Sequence, residues 1–150
     1  MLFQRINRSD PEKAFIIVKN DESSNAFIKG APVNFKFDGT DDGLAAERIA
    51  SGAAAKAYLT AGLADAATPS GSYGLVQVYG VRTDAVILAL SSTECAVGDA
   101  LMIMTASNCL SRTSAGAVNL LKPMFVMGQT LSSVNGDHKT TTGTVFIRAL

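Results

Sequence analysis

The chain has no tryptophan, one histidine, two cysteines and four prolines in 150 residues, and only 17% of its residues are charged. Each shortage excludes something. Without tryptophan there is no indole platform on which a sugar ring could stack. Cys95 and Cys109 fit neither C-x-x-C nor any zinc-ligand spacing. They read as small buried apolar groups in a reducing compartment, with a bridge across a hairpin as the alternative. Thirteen basic and thirteen acidic side chains cancel, which leaves no field to draw in phosphate backbones or anionic lipid. No apolar run approaches the roughly eighteen residues of a membrane span, and the start Met1-Leu2-Phe3-Gln4-Arg5-Ile6 lacks the long apolar core of a secretory signal. The expectation is a soluble protein made in a cytoplasm, with no nucleic-acid or membrane partner.

What is abundant is apolar: 47% of residues are hydrophobic and thirteen are glycine. A chain of this length makes one domain, residues 1–150, able to bury about 68–70% of its unfolded surface. With so little charge, the surface must expose Ser, Thr, Asn, Gly and Ala, which suits flat contacts, and zero net charge is a solubility liability that association relieves. Strands are predicted at 15–18, 33–37, 57–63, 75–79, 85–90, 101–104, 124–127 and 144–150, from β-branched and aromatic runs bounded by turn clusters. Those clusters include Asp38-Gly39, Val97-Gly98-Asp99, residues 111–116 and Asn135-Gly136-Asp137. Asp41, Asp42 and Gly43 ahead of Leu44-Ala45-Ala46-Glu47-Arg48 predict one short helix near residues 42–51. The fold class expected is mainly β, an antiparallel β-barrel or sandwich carrying that helix. No internal repeat is visible. Several runs are apolar on both faces, so either both are covered within the domain or one meets another chain. The second explanation is preferred for at least some of them.

Signals for chemistry are weak. Asp38-Gly39-Thr40-Asp41-Asp42-Gly43 imitates the start of a calcium loop, but the bidentate glutamate needed at the twelfth position falls on Ile49. The ordinary reading is an Asx turn leading into a helix start. Cys95 or Cys109 with His138 supplies the residue types of a cysteine nucleophile and its base, yet His138 lies in a polar turn and no third group is marked. Gly71-Ser72-Tyr73-Gly74 and Gly80 match neither phosphate-binding nor nucleophile-elbow patterns. No catalytic residue, metal or cofactor is expected.

Residues 1–8 are read as an N-terminal strand or arm, which either docks on its own sheet or adds to a neighbour's edge. Leu2, Phe3, Arg5 and Ile6 are its candidate assembly contacts. The segments Gly74-Leu75-Val76-Gln77-Val78-Tyr79-Gly80, Val97-Gly98-Asp99-Ala100-Leu101, Met127-Gly128-Gln129-Thr130-Leu131 and Thr144-Val145-Phe146-Ile147-Arg148 then form a pattern. It resembles the small head-decoration, or cement, proteins of tailed bacteriophages, over residues 74–150. The resemblance implies a non-enzymatic homotrimer on the outer capsid surface of the virion, clamping neighbouring copies of the major capsid protein. Two other classes compete. One is a small-ligand or carbohydrate-binding β domain such as a head-fibre module, which needs a deep pocket. The other is a cysteine-dependent hydrolase.

Overall fold

Short β-branched and aromatic runs cut by glycine cannot sustain helices, and the chain resolves them into strands. The computed structural model describes residues 12–48, 59–89, 95–104, 108–112, 124–131 and 139–149. Nine strands run in order: β1 Ala14–Asn20, β2 Pro32–Phe35, β3 Ala45–Arg48, β4 Thr60–Ala64, β5 Tyr73–Ala89, β6 Ala100–Met104, β7 Cys109–Arg112, β8 Phe125–Met127 and β9 Lys139–Arg148. All belong to one hydrogen-bonded sheet. The mainly β, barrel-like expectation holds.

That sheet closes on itself twice. β5 is 17 residues long, about 55 Å at the usual strand rise, and its two halves serve two different rings. Its first half pairs with β1 and β4, and the circuit closes through β1–β3, β3–β2 and β2–β4. Its second half pairs with β9 and β7, and that circuit closes through β7–β6, β6–β8 and β8–β9. Each ring therefore has five strands, with one parallel contact (β1–β3 or β5–β7) and four antiparallel ones. Closure removes open edges, which would otherwise template pairing with other chains. Each ring has its own core. Val18, Phe27, Val33, Ala46, Ala61, Ala64, Val76 and Val78 fill the first. Leu101, Ile103, Leu110, Phe125, Met127, Val145 and Ile147 fill the second, with Leu63 from β4 reaching across into it.

The two rings repeat one another in register as well as in order. Val33 faces Arg48 in the first ring and Leu101 faces Arg112 in the second; Phe35 faces Ala46 and Ile103 faces Leu110. Outside the strands, Gly30 N–H donates to Ala64 O at 2.8 Å, and Gly98 N–H to Met127 O at 2.9 Å. Asp65 N–H donates to Leu75 O at 2.9 Å, and Gly128 N–H to Thr144 O at 2.8 Å. The isolated bridge Phe27–Thr68 has its counterpart in Cys95–Leu131. A glycine accommodates the far residue of each bridge: a Cβ on Gly74 would lie 2.2 Å from Thr68 Oγ1, and one on Gly143 would lie 3.1 Å from Leu131 Cδ1. The expectation of no internal repeat is corrected. Few identities survive, among them Gly30/Gly98, Arg48/Arg112 and Gly74/Gly143, because many side chains satisfy the same inward-outward alternation.

The helix expected near residues 42–51 is also corrected. Leu44 and Ala45 N–H both donate to Asp41 O, at 2.9 and 2.8 Å, so one turn begins, but Ala45–Arg48 then extends as β3. Helix propensity in Ala-Ala-Glu-Arg is worth a few tenths of a kcal/mol per residue. Pairing on both sides with β1 and β2, and burial of Ala46 inside the first ring and of Ala45 beside it, outweigh it. Residues 49–51 lie outside the described residues. Strand β7 starts two residues before the turn expected at 111–116, and the runs at 75–79 and 85–90 are one strand interrupted by a bulge between Arg82 and Ala85.

Gly30 sits where the rings meet, and a Cβ there would lie 2.0 Å from Asp84 O, whereas its counterpart Gly98 has open space; both have positive φ, 76° and 88°. Gly98→Ala should lose about 1–2 kcal/mol from the left-handed backbone alone. Gly30→Ala should lose about 2–5 kcal/mol, because overpacking adds to that strain. Urea unfolding of the two variants side by side checks this, and equal losses would show that the ring junction is not tight.

Candidate functional site

The residues first considered for chemistry are placed apart or occupied. Cys95 and Cys109 are both buried free thiols. Burial first, then the nearby Asp99 carboxylate, pushes the Cys95 thiol up from its ordinary value, the wrong direction for a nucleophile. His138, and the expected assembly contacts Leu2, Phe3, Arg5 and Ile6, lie outside the described residues. In the acidic loop between β2 and β3, the Asp38 carboxylate accepts from Thr40 N–H at 3.0 Å, an Asx turn, and Asp42 accepts from the Asp38 and Gly39 amides at 3.1 and 3.0 Å. Lys36 bonds Asp38 and Lys19 bonds Asp41. The Lys36 bond, seconded by the Thr40 amide, holds the Asp38 carboxyl below the usual range, and the Asp41 bond raises Lys19. These oxygens are already engaged. Among the described residues no three His, Cys, Asp or Glu side chains converge as metal ligands.

Two features stand out instead. The first is a buried arginine at the β5 bulge. Arg82 is 4% exposed. Its Nε lies 2.7 Å from Asp84 Oδ1, Nη1 lies 3.2 Å from Asp65 Oδ1, and Nη2 donates to Asp65 O at 3.2 Å. Gln77, also buried, donates from Nε2 to Tyr79 O and Val81 O and so braces the backbone before the bulge. Lys29, from the loop before β2, reaches Asp84 at 3.0 Å. Burial of the Asp84 carboxyl opposes ionisation, but Lys29 and Arg82 together hold it below its ordinary value. A cleft of about 170 Å³ opens here between Lys13, Phe15, Lys29 and Arg82. That falls short of the roughly 300–1,000 Å³ of small-molecule sites, and its Lys29 and Arg82 are paired with Asp84 and Asp65. This cluster ties the first ring to the second.

The second feature is an exposed apolar face on the first ring. Phe15 and Ile17 alternate outward from β1, and Tyr73, Leu75 and Tyr79 outward from β5, while Val18, Val76 and Val78 point into the core. Ile17 lies directly opposite Leu75, and Phe15 and Tyr73 flank that pair. Exposures run from 37% at Tyr79 to 63% at Tyr73. Tyr79 meets Phe146 edge to face at 5.5 Å, and Arg148 lies over the Phe146 ring. The sequence carried a signal for this face: a run apolar on both sides of the pleat is either covered within the domain or meets another chain. Comparison of the chain with protein-family models and with curated proteins finds no match.

Arg82→Ala should cost about 3 kcal/mol at neutral pH, the usual scale for stranding the partners of a buried ion. The sign of the pH effect follows from Asp84. Its folded pKa is depressed, so its stabilisation is full above the ordinary carboxylate value and is lost as pH falls through the lower folded value. Urea midpoints compared near neutrality and in acid should therefore show a smaller acid-side loss in Arg82→Ala than in wild type. Parallel pH profiles would remove Asp84 from this account.

Proposed function

We propose that the chain is a non-enzymatic structural protein that decorates and stabilises the capsid of a tailed bacteriophage, clamping neighbouring coat subunits on the outer shell. The observation that carries this reading is the apolar face of Phe15, Ile17, Tyr73, Leu75 and Tyr79 on the first ring. Such a surface is made for contact, since a soluble monomer gains nothing by wetting it. The resemblance of residues 74–150 to cement proteins supports the same class, and the dispersed chemistry gives no competing one. The cleft at the β5 bulge is smaller than the carbohydrate-binding alternative needs.

The physics suits the role. Closed rings resist stray strand pairing while presenting rigid faces. A clamp that touches several shell subunits multiplies modest contacts through effective concentration, so no single strong site is needed. Zero net charge lets it approach a protein shell without long-range repulsion. Residues 1–8 are proposed to act as an arm, with Leu2, Phe3, Arg5 and Ile6 adding to a shell subunit or a neighbouring copy.

The protein should co-sediment with undecorated capsids of its phage and raise the temperature at which they rupture. Deleting residues 1–8 should abolish co-sedimentation while the far-ultraviolet circular dichroism of the β fold persists. Full-length protein that stays in the supernatant rules out decoration; a deletion that binds as before removes the arm.

A further inference from the structure

One stretch of backbone is bare in the first ring and covered in the second. β1 reaches β3 only at Lys19 and Asn20, so residues 15–18 pair with β5 on one side alone. Asn20 N–H donates to Ser72 O, at the start of β5, whereas Lys19 N–H turns the other way to Leu44 O. Backbone groups alternate sides along a strand, so Ile16 and Val18 bond β5, and the N–H and C=O of Phe15 and Ile17 point to the open side. Neither residue has a backbone partner there among the described residues.

The repeat shows that the fold does not demand this. Register matches Phe15 opposite Gln77 with Val81 opposite Phe146, and Val18 opposite Gly74 with Ala85 opposite Gly143. Over that corresponding stretch, Val81 O accepts from Gln77 Nε2 at 3.2 Å and Val86 N–H donates to Gly30 O at 2.9 Å. Gly30 itself approaches Asp84 O so closely that no Cβ would fit. The second ring's edge is thus covered by the chain's own groups, and the first ring's is not.

We infer that the bare edge of β1 is a docking slot for an extended segment of another protein, which adds as a strand along residues 14–18 and carries an acidic residue at the Lys13 end. Three observations define that occupant. Donors and acceptors recurring at every second residue of an edge are matched by another extended main chain. Both faces of β1 are apolar here, with Phe15 and Ile17 outward and Ile16 and Val18 inward, so apolar side chains on the added strand find neighbours on either face. Charge sets the end: in the cleft beside Phe15, Lys29 and Arg82 are balanced by Asp84 and Asp65, leaving Lys13 as the excess cation, and a carboxylate complements it. This assignment deepens the decorating role, within which the segment belongs to a coat subunit, and rests on that role only for the partner's identity.

The probe is a blocked peptide, Glu-Thr-Val-Thr-Val-Thr-Glu, whose acidic ends serve either strand direction, compared with the same peptide ended by Lys. In the free chain, amide exchange followed by nuclear magnetic resonance should be fast at Phe15 and Ile17 and slow at Ile16 and Val18. Acidic peptide at about millimolar concentration should slow Phe15 and Ile17, and the Lys-ended peptide should bind about two- to fivefold more weakly, the scale of an exposed ion pair. Ile17→Pro removes a donor that β5 does not use, a place where edge strands tolerate proline. Its circular dichroism and cooperative unfolding should persist while peptide affinity falls by about tenfold or more. Ile17→Thr keeps the donor and should bind more tightly than Ile17→Pro; Tyr73→Thr alters the outward face without touching the edge and should bind as wild type does. If Ile17→Pro does not fold, protection of the two amides by peptide decides alone.

Phe15 and Ile17 amides that exchange slowly in the free chain overturn the assignment: protection lost on deleting residues 1–8 gives the slot to the chain's own arm, and protection lost on dilution gives it to a second copy. Peptide that protects neither amide, or that binds folded Ile17→Pro as tightly as Ile17→Thr, also overturns it. Undecorated capsids separate this slot from decoration. Wild type and folded Ile17→Pro that co-sediment equally overturn the slot while decoration stands. Protein that takes the peptide at this edge yet never co-sediments keeps the slot and removes decoration.

Discussion

The structure depends on one strand being shared. β5 contributes its first half to one five-stranded ring and its second half to another, and a strand of 17 residues can do so only if it turns between them. The bulge between Arg82 and Ala85 makes that turn, because an extra residue on one strand bends and twists it. A bulge leaves backbone groups without ladder partners. Here Gln77 donates to the carbonyls of Tyr79 and Val81, and Val86 N–H reaches back to Gly30 O at 2.9 Å. Arg82, paired with Asp65 and Asp84, is buried at this junction.

From that constraint the division of the molecule follows. Each half of the chain closes its own ring around its own core, and Leu63 and Ala149 are the side chains that pack across the boundary, Ala149 against both cores. Closing a five-stranded ring turns one side of each strand inward, where Ala46, Ala61 and Ala64 pack beside Phe27 in the first ring. It also commits every inward position, so specificity for partners must be written on outward ones. There the two rings differ: Lys19 faces Tyr73 and Phe15 faces Gln77 in the first, whereas Val86 faces Thr142 and Val81 faces Phe146 in the second. A duplicated scaffold permits this, since one copy can vary its outer face while the other shows what the fold itself demands.

The cohesive role proposed above agrees with these physical features. The thiols are buried and the Cys95 thiol is raised in pKa, the loop carboxylates are held by amides and lysines, and the buried charge cluster at the bulge is internally compensated. What is left uncompensated is apolar surface. Water disfavours it by about 25 cal/mol for each Å².

Composition and alternation were enough to read the class of fold and most of its strands, because inward-outward periodicity is a local property of β structure. They were also enough to suspect an interaction face, since Phe15-Ile16-Ile17-Val18 is apolar on both sides of its pleat. They misassigned Ala45–Arg48, where local propensity favours helix and two neighbouring strands decide otherwise, and they passed over Cys109–Arg112, too short and too polar at Ser111 and Arg112 to announce itself. The duplication was invisible for a related reason. It resides in which residues face one another across strands distant in sequence, and Val33 with Arg48 looks nothing like Leu101 with Arg112 until both pairs are seen in register. The chain by itself determined which residues seek burial and which prefer extended backbone, a matter of side-chain chemistry alone. Only the tertiary structure decided that β5 belongs to two rings, and which apolar residues were left outside, because ring closure is a long-range condition that no local stretch of sequence can express.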